Sequence, residues 1–148
     1  MRKKFITLLL SLSTISAYAQ NDLTVSDLAK NTDTKAAFQK MIGKQKLPEW
    51  VMQNGTSSPT KYVEINGKKY WVLNSCKPHD CGSQSIAVLY SPGSKTLSGV
   101  FSTNNEREIS QQLLWLNITD DLSIDGRTIL FAALTGSLDN HPDSFNFK

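Results

Sequence analysis

Cysteine is scarce in this 148-residue chain: there are two, Cys76 and Cys81, and both lie in one short loop. That excludes a fold held together by disulfides, because a bridge closing so small a ring contributes only about 2 kcal/mol, against roughly 4 or more for a long one. Histidine is as rare, at His79 and His141. No apolar run reaches the roughly 20 residues needed to span a bilayer, and there is no internal repeat, low-complexity tract or long linker. Charge of one sign is lacking too. Of the sixteen Lys and Arg, three are Arg2, Lys3 and Lys4, so the remainder carries thirteen bases against thirteen acids. The formal charge of +3 therefore belongs to the first few residues. No basic block with interleaved aromatics remains, which argues against nucleic acid as a partner.

The N-terminus supplies a compartment. Arg2, Lys3 and Lys4 precede an apolar run from Phe5 through Leu12 to Ile15, and Ala17-Tyr18-Ala19 follows as an A-x-A cleavage pattern. The expectation is a signal peptide over 1–19, cut after Ala19, and a single domain over 20–148 with no membrane segment after cleavage. An exported chain meets oxidising conditions, so a Cys76–Cys81 disulfide is the expected state.

The remaining chain has the size of one domain, with Trp50, Trp71, Trp115 and five phenylalanines to fill its core. Thr32-Asp33-Thr34 offers an N-cap, and Ala37, Phe38, Met41 and Ile42 fall on one face of a short helix ending at Gly43. Pro48 suits the first position of a helical turn carrying Trp50 and Val51. Tyr62, Val63 and Ile65 lead into Asn66-Gly67, a strong hairpin signal, and Tyr70-Trp71-Val72-Leu73 leads out. Ile86 to Tyr90 reads as a returning strand, Ser91-Pro92-Gly93 as its turn, and Leu97 to Phe101 as the next strand. Glu108 to Ile118 fits a fifth strand or a short helix equally well. Ile129 to Leu134, apolar throughout and followed by Gly136, reads as a buried helix. The sum is an α+β domain: an antiparallel meander of about five strands with short helices packed against it. Cys76 to Cys81 then forms a hairpin tip at one end of the sheet.

Cys76-Lys77-Pro78-His79-Asp80-Cys81 admits four readings. A thioredoxin-like redox site has two residues between its cysteines, not four with a proline among them. A metal site would enlist Cys76, Cys81, His79 and distant His141, but the small ring strains tetrahedral geometry and export favours the disulfide. A Cys–His nucleophile needs a free thiolate beside a base. The plain alternative is a stapled hairpin with a solvated His79, and composition alone favours it. If the ring is closed, Lys77, His79 and Asp80 project as a rigid, charged fingertip. His141-Pro142-Asp143 repeats the residue types of Pro78-His79-Asp80 near the C-terminus. Its residues suit a polar turn, with a secondary contact through His141 and Asp143, or a C-terminal lock, as the other readings.

The hexapeptide, continued by Gly82-Ser83-Gln84, resembles the signature loop of the Ivy family, periplasmic inhibitors of vertebrate (C-type) lysozyme. Leu47-Pro48-Glu49-Trp50-Val51-Met52, Gly99-Val100-Phe101-Ser102-Thr103, Trp115-Leu116-Asn117 and Leu122-Ser123-Ile124-Asp125-Gly126 extend the likeness. So does the tail from Leu134-Thr135-Gly136-Ser137 through His141-Pro142-Asp143. The resemblance implies a periplasmic, non-enzymatic protein that needs neither metal nor cofactor. It implies that the loop plugs a lysozyme cleft, with His79 meeting the catalytic carboxylates, and it suggests a homodimer. An endogenous lytic transglycosylase, whose cleft depends on one catalytic acid, is a further expected target. The alternative class is a small exported hydrolase or metal-binding module using His79 with His141. The sequence offers no Ser/His/Asp or paired-carboxylate motif to equip it.

Overall fold

The computed structural model describes residues 22–147, so the signal peptide read over 1–19 lies outside the described residues. Three short helices come first: α1 (Val25–Lys30), α2 (Lys35–Ile42) and α3 (Glu49–Gln53). α1 is absent from the sequence reading, although Thr24 and Asp27 give it a capping box. The Asp27 amide donates to the Thr24 hydroxyl at 3.1 Å and the Thr24 amide to the Asp27 carboxylate at 2.9 Å. The expected cap on α2 takes another form. Thr34 holds the N-cap position, yet its hydroxyl donates to the Leu28 carbonyl at 2.7 Å, joining α1 to α2. Pro48 sits one residue before the helix, in extended backbone, and α3 starts at Glu49.

Six antiparallel strands follow: β1 (Thr56–Ser57), β2 (Lys61–Ile65), β3 (Lys68–Cys76), β4 (Gln84–Ser91), β5 (Thr96–Asn105) and β6 (Ser110–Leu116). The expected meander is present, enlarged by two-residue β1. β1 and β2 share one edge of β3: β1 pairs with Ser75 and Cys76, β2 with Lys68 to Val72. Asn66 and Gly67 turn the β2–β3 hairpin with positive φ at both residues, as that dipeptide requires.

Both faces of the sheet are covered. Leu73, Ile86, Val88, Leu97 and Leu116 pack against Val25, Leu28, Phe38, Met41 and Val51 of the three N-terminal helices. Val63, Tyr70, Val72, Ala87, Leu89 and Val100 pack against Ile129, Leu130 and Ala133 of α4 (Ser123–Thr135). Double coverage explains why β4 is apolar without alternation. It also resolves the ambiguous 108–118 stretch. Leu113 and Trp115 belong to the α4 side and Leu114 and Leu116 to the other, so a strand with two apolar sides reads as a continuous run. The helix expected over 129–134 is longer than its apolar run, opening at Ser123 and ending at Gly136 in the left-handed region (φ 77°). A short α5 (Ser137–Asn140) and a 3-10 turn (Pro142–Phe145) then lead to Phe147, which lies beside Ile65 of β2.

Candidate functional site

Residues 77–83 join β3 to β4 at one end of the sheet, where Cys76 pairs in register with Ser85. The Lys77 amide donates to the Gln84 carbonyl at 3.0 Å and closes the stem. Next comes a tight turn: the Asp80 amide donates to the Lys77 carbonyl at 3.0 Å, with Pro78 and His79 between them. Proline presets φ for the second position of such a turn, and positive φ at the third marks type II. His79 has φ 62°, a left-handed conformation usually left to glycine or asparagine. Histidine is one of the few other residues enriched there. The Cys76–Cys81 disulfide closes the ring with 4.8 Å between Cα atoms. His79 is thus fixed at the exposed apex of a covalently closed turn.

The charges at the tip are arranged differently from three independent groups. Lys77 Nζ donates to Asp80 Oδ2 at 2.9 Å, and Ser83 Oγ donates to the same oxygen at 2.7 Å. The bond from Lys77, then that from Ser83, holds the Asp80 carboxyl below the usual aspartate range. Lys77 and Asp80 largely neutralise each other and brace the turn from inside. His79 is left as the tip's unengaged polar side chain.

Long-range contacts support the base. Asn104 of β5 donates its amide to the Ser83 carbonyl at 2.8 Å and its side-chain Nδ2 to the Gly82 carbonyl at 2.7 Å. Trp50 of α3 donates Nε1–H to Gln84 Oε1 at 3.0 Å. Gly55 lets these elements meet, since a Cβ there would run into Ser75 Oγ and lie 3.0 Å from the Trp50 ring. The sequence reading gave Asn104 and Gln84 no such structural part, because contacts across 22 and 34 residues leave no local periodicity.

His141 and Asp143 are exposed on the C-terminal segment. That segment is tied to the opposite end of the β2–β3 hairpin: the Phe147 amide donates to the Glu64 carbonyl at 2.9 Å, and the Asn66 amide donates to the Phe147 carbonyl at 2.8 Å. No contact joins His141 to His79 among the described residues, and no three His, Cys, Asp or Glu side chains there converge as metal ligands would. Both cysteines are in the disulfide, so the loop offers no thiolate.

Comparison with known proteins gives a consistent picture. Residues 33–117 match the family described as Inhibitor of vertebrate lysozyme (Ivy). A protein of Escherichia coli strain K12 named Inhibitor of vertebrate lysozyme is 57% identical over 133 residues, covering 90% of this chain and 85% of its own. A Pseudomonas aeruginosa protein of the same name is 34% identical over 76 residues, half of each chain.

Proposed function

This chain belongs to the inhibitor of vertebrate lysozyme (Ivy) family, and from that premise we propose that it is an exported, periplasmic inhibitor of C-type lysozyme that enters the enzyme's cleft with the Cys76–Cys81 loop. The observation that carries this reading is His79 at the exposed apex of a turn closed by a disulfide and braced by the Lys77–Asp80 pair.

The chemistry of the two sites is complementary. Lysozyme holds one catalytic carboxyl protonated as general acid and the other ionised, about 5 Å apart in a retaining enzyme. A neutral imidazole has one donor and one acceptor nitrogen. His79 donates to the ionised carboxylate and accepts from the protonated one, matching both at once. With both carboxyls ionised, an imidazolium serves instead. The internal Lys77–Asp80 pair keeps the rest of the tip close to neutral, so entering the cleft strands no unpaired charge. A loop already held in its bound shape avoids the ordering cost of about 0.5–1.5 kcal/mol per immobilised side chain. No bond is made or broken; the loop occupies the site.

Lysis of bacterial cell walls by a vertebrate C-type lysozyme, with and without the folded chain from about Gln20, tests this function. Expected is loss of lysis near one equivalent; full lysis at large molar excess of inhibitor refutes it. Running a lytic transglycosylase in parallel addresses the second target, and sedimentation of the free chain addresses the homodimer.

A further inference from the structure

Next to the disulfide loop, at the same end of the sheet, is a second projection that the proposed cleft plug does not use. The β5–β6 hairpin turns through Glu106, Arg107, Glu108 and Ile109, between paired Asn105 and Ser110. The loop joins β3 to β4 and this turn joins β5 to β6, so their bases stand about two strand spacings, roughly 10 Å, apart. Asn104, one residue before the turn's base pair, makes both bonds to the loop at Ser83 and Gly82. The two tips are therefore fixed relative to one another. Beside the base of the disulfide loop a hollow of about 330 Å³ opens among Thr56, Asn74, Cys81, Asn104, Gln111 and Leu134, on the side of β1 and the end of α4 rather than between the tips.

Ile109 is the anomaly. It is 95% exposed, more than any other large apolar side chain among the described residues. It also has φ 49°, the left-handed region, where a β-branched side chain is a true outlier. Glycine or asparagine would suit that position. Neither the packing nor the backbone of the free protein benefits from isoleucine there. Residues kept in such strained backbone cluster at ligand clamps and binding sites.

We propose that Ile109 is a second docking prong, which packs against the surface of the inhibited enzyme outside its cleft while His79 sits within it. The inference rests on the lysozyme-inhibitor reading. Both tips project from the same end of the sheet and are tied through Asn104, so that both prongs can engage one enzyme together. Glu106, Arg107 and Glu108 precede the apolar chain, all exposed, and give the turn a net charge of −1, of the sign that suits the strongly basic surface such lysozymes present. Burying a lone isoleucine at a contact is a large gain for one side chain, and it sets the lifetime of the complex more than its rate of formation.

The test uses Ile109→Gly in the full folded chain, with thermal unfolding and lysozyme affinity measured on the same preparation. Relieving the backbone should raise Tm by about 4 °C, while affinity falls about tenfold, mainly through faster dissociation. A residue serving only the fold cannot give that opposite pair of changes. Ile109→Asn, which also tolerates the left-handed region, should lose affinity similarly, and Ile109→Val should retain it. Combining Ile109→Gly with His79→Ala should give near-additive losses, as for separate contacts. Wild-type affinity in Ile109→Gly overturns the prong and leaves the inhibitor reading standing; failure of the unaltered chain to bind lysozyme overturns both.

Discussion

Trp50 and Gln84 are 34 residues apart in sequence, yet the Trp50 indole donates to the Gln84 side-chain carbonyl at 3.0 Å. Gln84 also accepts the Lys77 amide on its backbone carbonyl at 3.0 Å. One residue thus joins the N-terminal helical layer to the stem of the His79 turn, and the tip is built on the core rather than hung from it.

Trp50→Phe keeps most of the ring packing and deletes that bond. It should lower stability by about 1 kcal/mol, the usual net value of one hydrogen bond, and quicken amide exchange at Lys77. Denaturant unfolding and hydrogen exchange check both. Unchanged exchange at Lys77 would show that the stem is independent of α3.

His79 should matter for binding and not for folding. His79→Ala is expected to weaken lysozyme binding by about 2 kcal/mol or more, as for a buried central anchor. His79→Gly should weaken it as much while stabilising the free domain by up to about 1 kcal/mol, because glycine adopts the left-handed backbone without a side-chain clash. Inhibition by either variant at the wild-type level refutes the cleft plug. His141→Ala, on the separate C-terminal segment, should have the smaller effect.

Replacing Cys76 and Cys81 together by serine separates loop order from fold stability. The folding loss should stay near the ring-entropy value of about 2 kcal/mol. The turn's own bonds, Asp80 to Lys77 and Ser83 to Asp80, remain to limit the disorder. Binding should lose more than folding does. Global unfolding at ambient temperature, with no separate loss of affinity in the folded fraction, would make the bridge structural.

Acid should loosen the tip late. Asp80's pKa is depressed in the folded chain by Lys77 and then by Ser83, so the ordering it provides is fully present above the ordinary aspartate pKa, about 3.9. It is lost as pH falls through the lower folded value. Carbon-detected NMR of the Asp80 carboxyl should give a midpoint below that of an exposed aspartate, and Asp80→Asn should disorder the turn already at neutral pH. An ordinary midpoint means the Lys77–Asp80 pair does not form in solution.

Gly55→Ala should be costly although alanine favours neither strand nor turn strongly. The added methyl collides with Ser75 Oγ and crowds Trp50. Overpacking of this kind costs about 1–3 kcal/mol, and a Tm equal to wild type would show that β1 can shift to admit it.

Much of this fold is written locally. Asn66-Gly67 and its alternating neighbours specify a hairpin by turn chemistry alone, and Gly136 ends the helix that begins at Ser123. α1 was legible too, through Thr24 and Asp27, but its six residues give too little periodicity to attract notice. Ser110–Leu116 was not legible, since its apolar run fits a strand only once both faces of the sheet are known to be covered.

The sequence by itself determined the chemistry of the tip. Two cysteines in one short loop meet and close it, proline sets the turn, and histidine stands between them. Tertiary structure decided what that chemistry faces. It set Lys77 against Asp80, leaving His79 alone at the apex, and it placed His141 on a separate C-terminal segment. It also brought Asn104 and Ile109 alongside the loop. Short-range bonds follow from neighbouring residues, whereas pairings across 22 or more residues exist only once strand register fixes them.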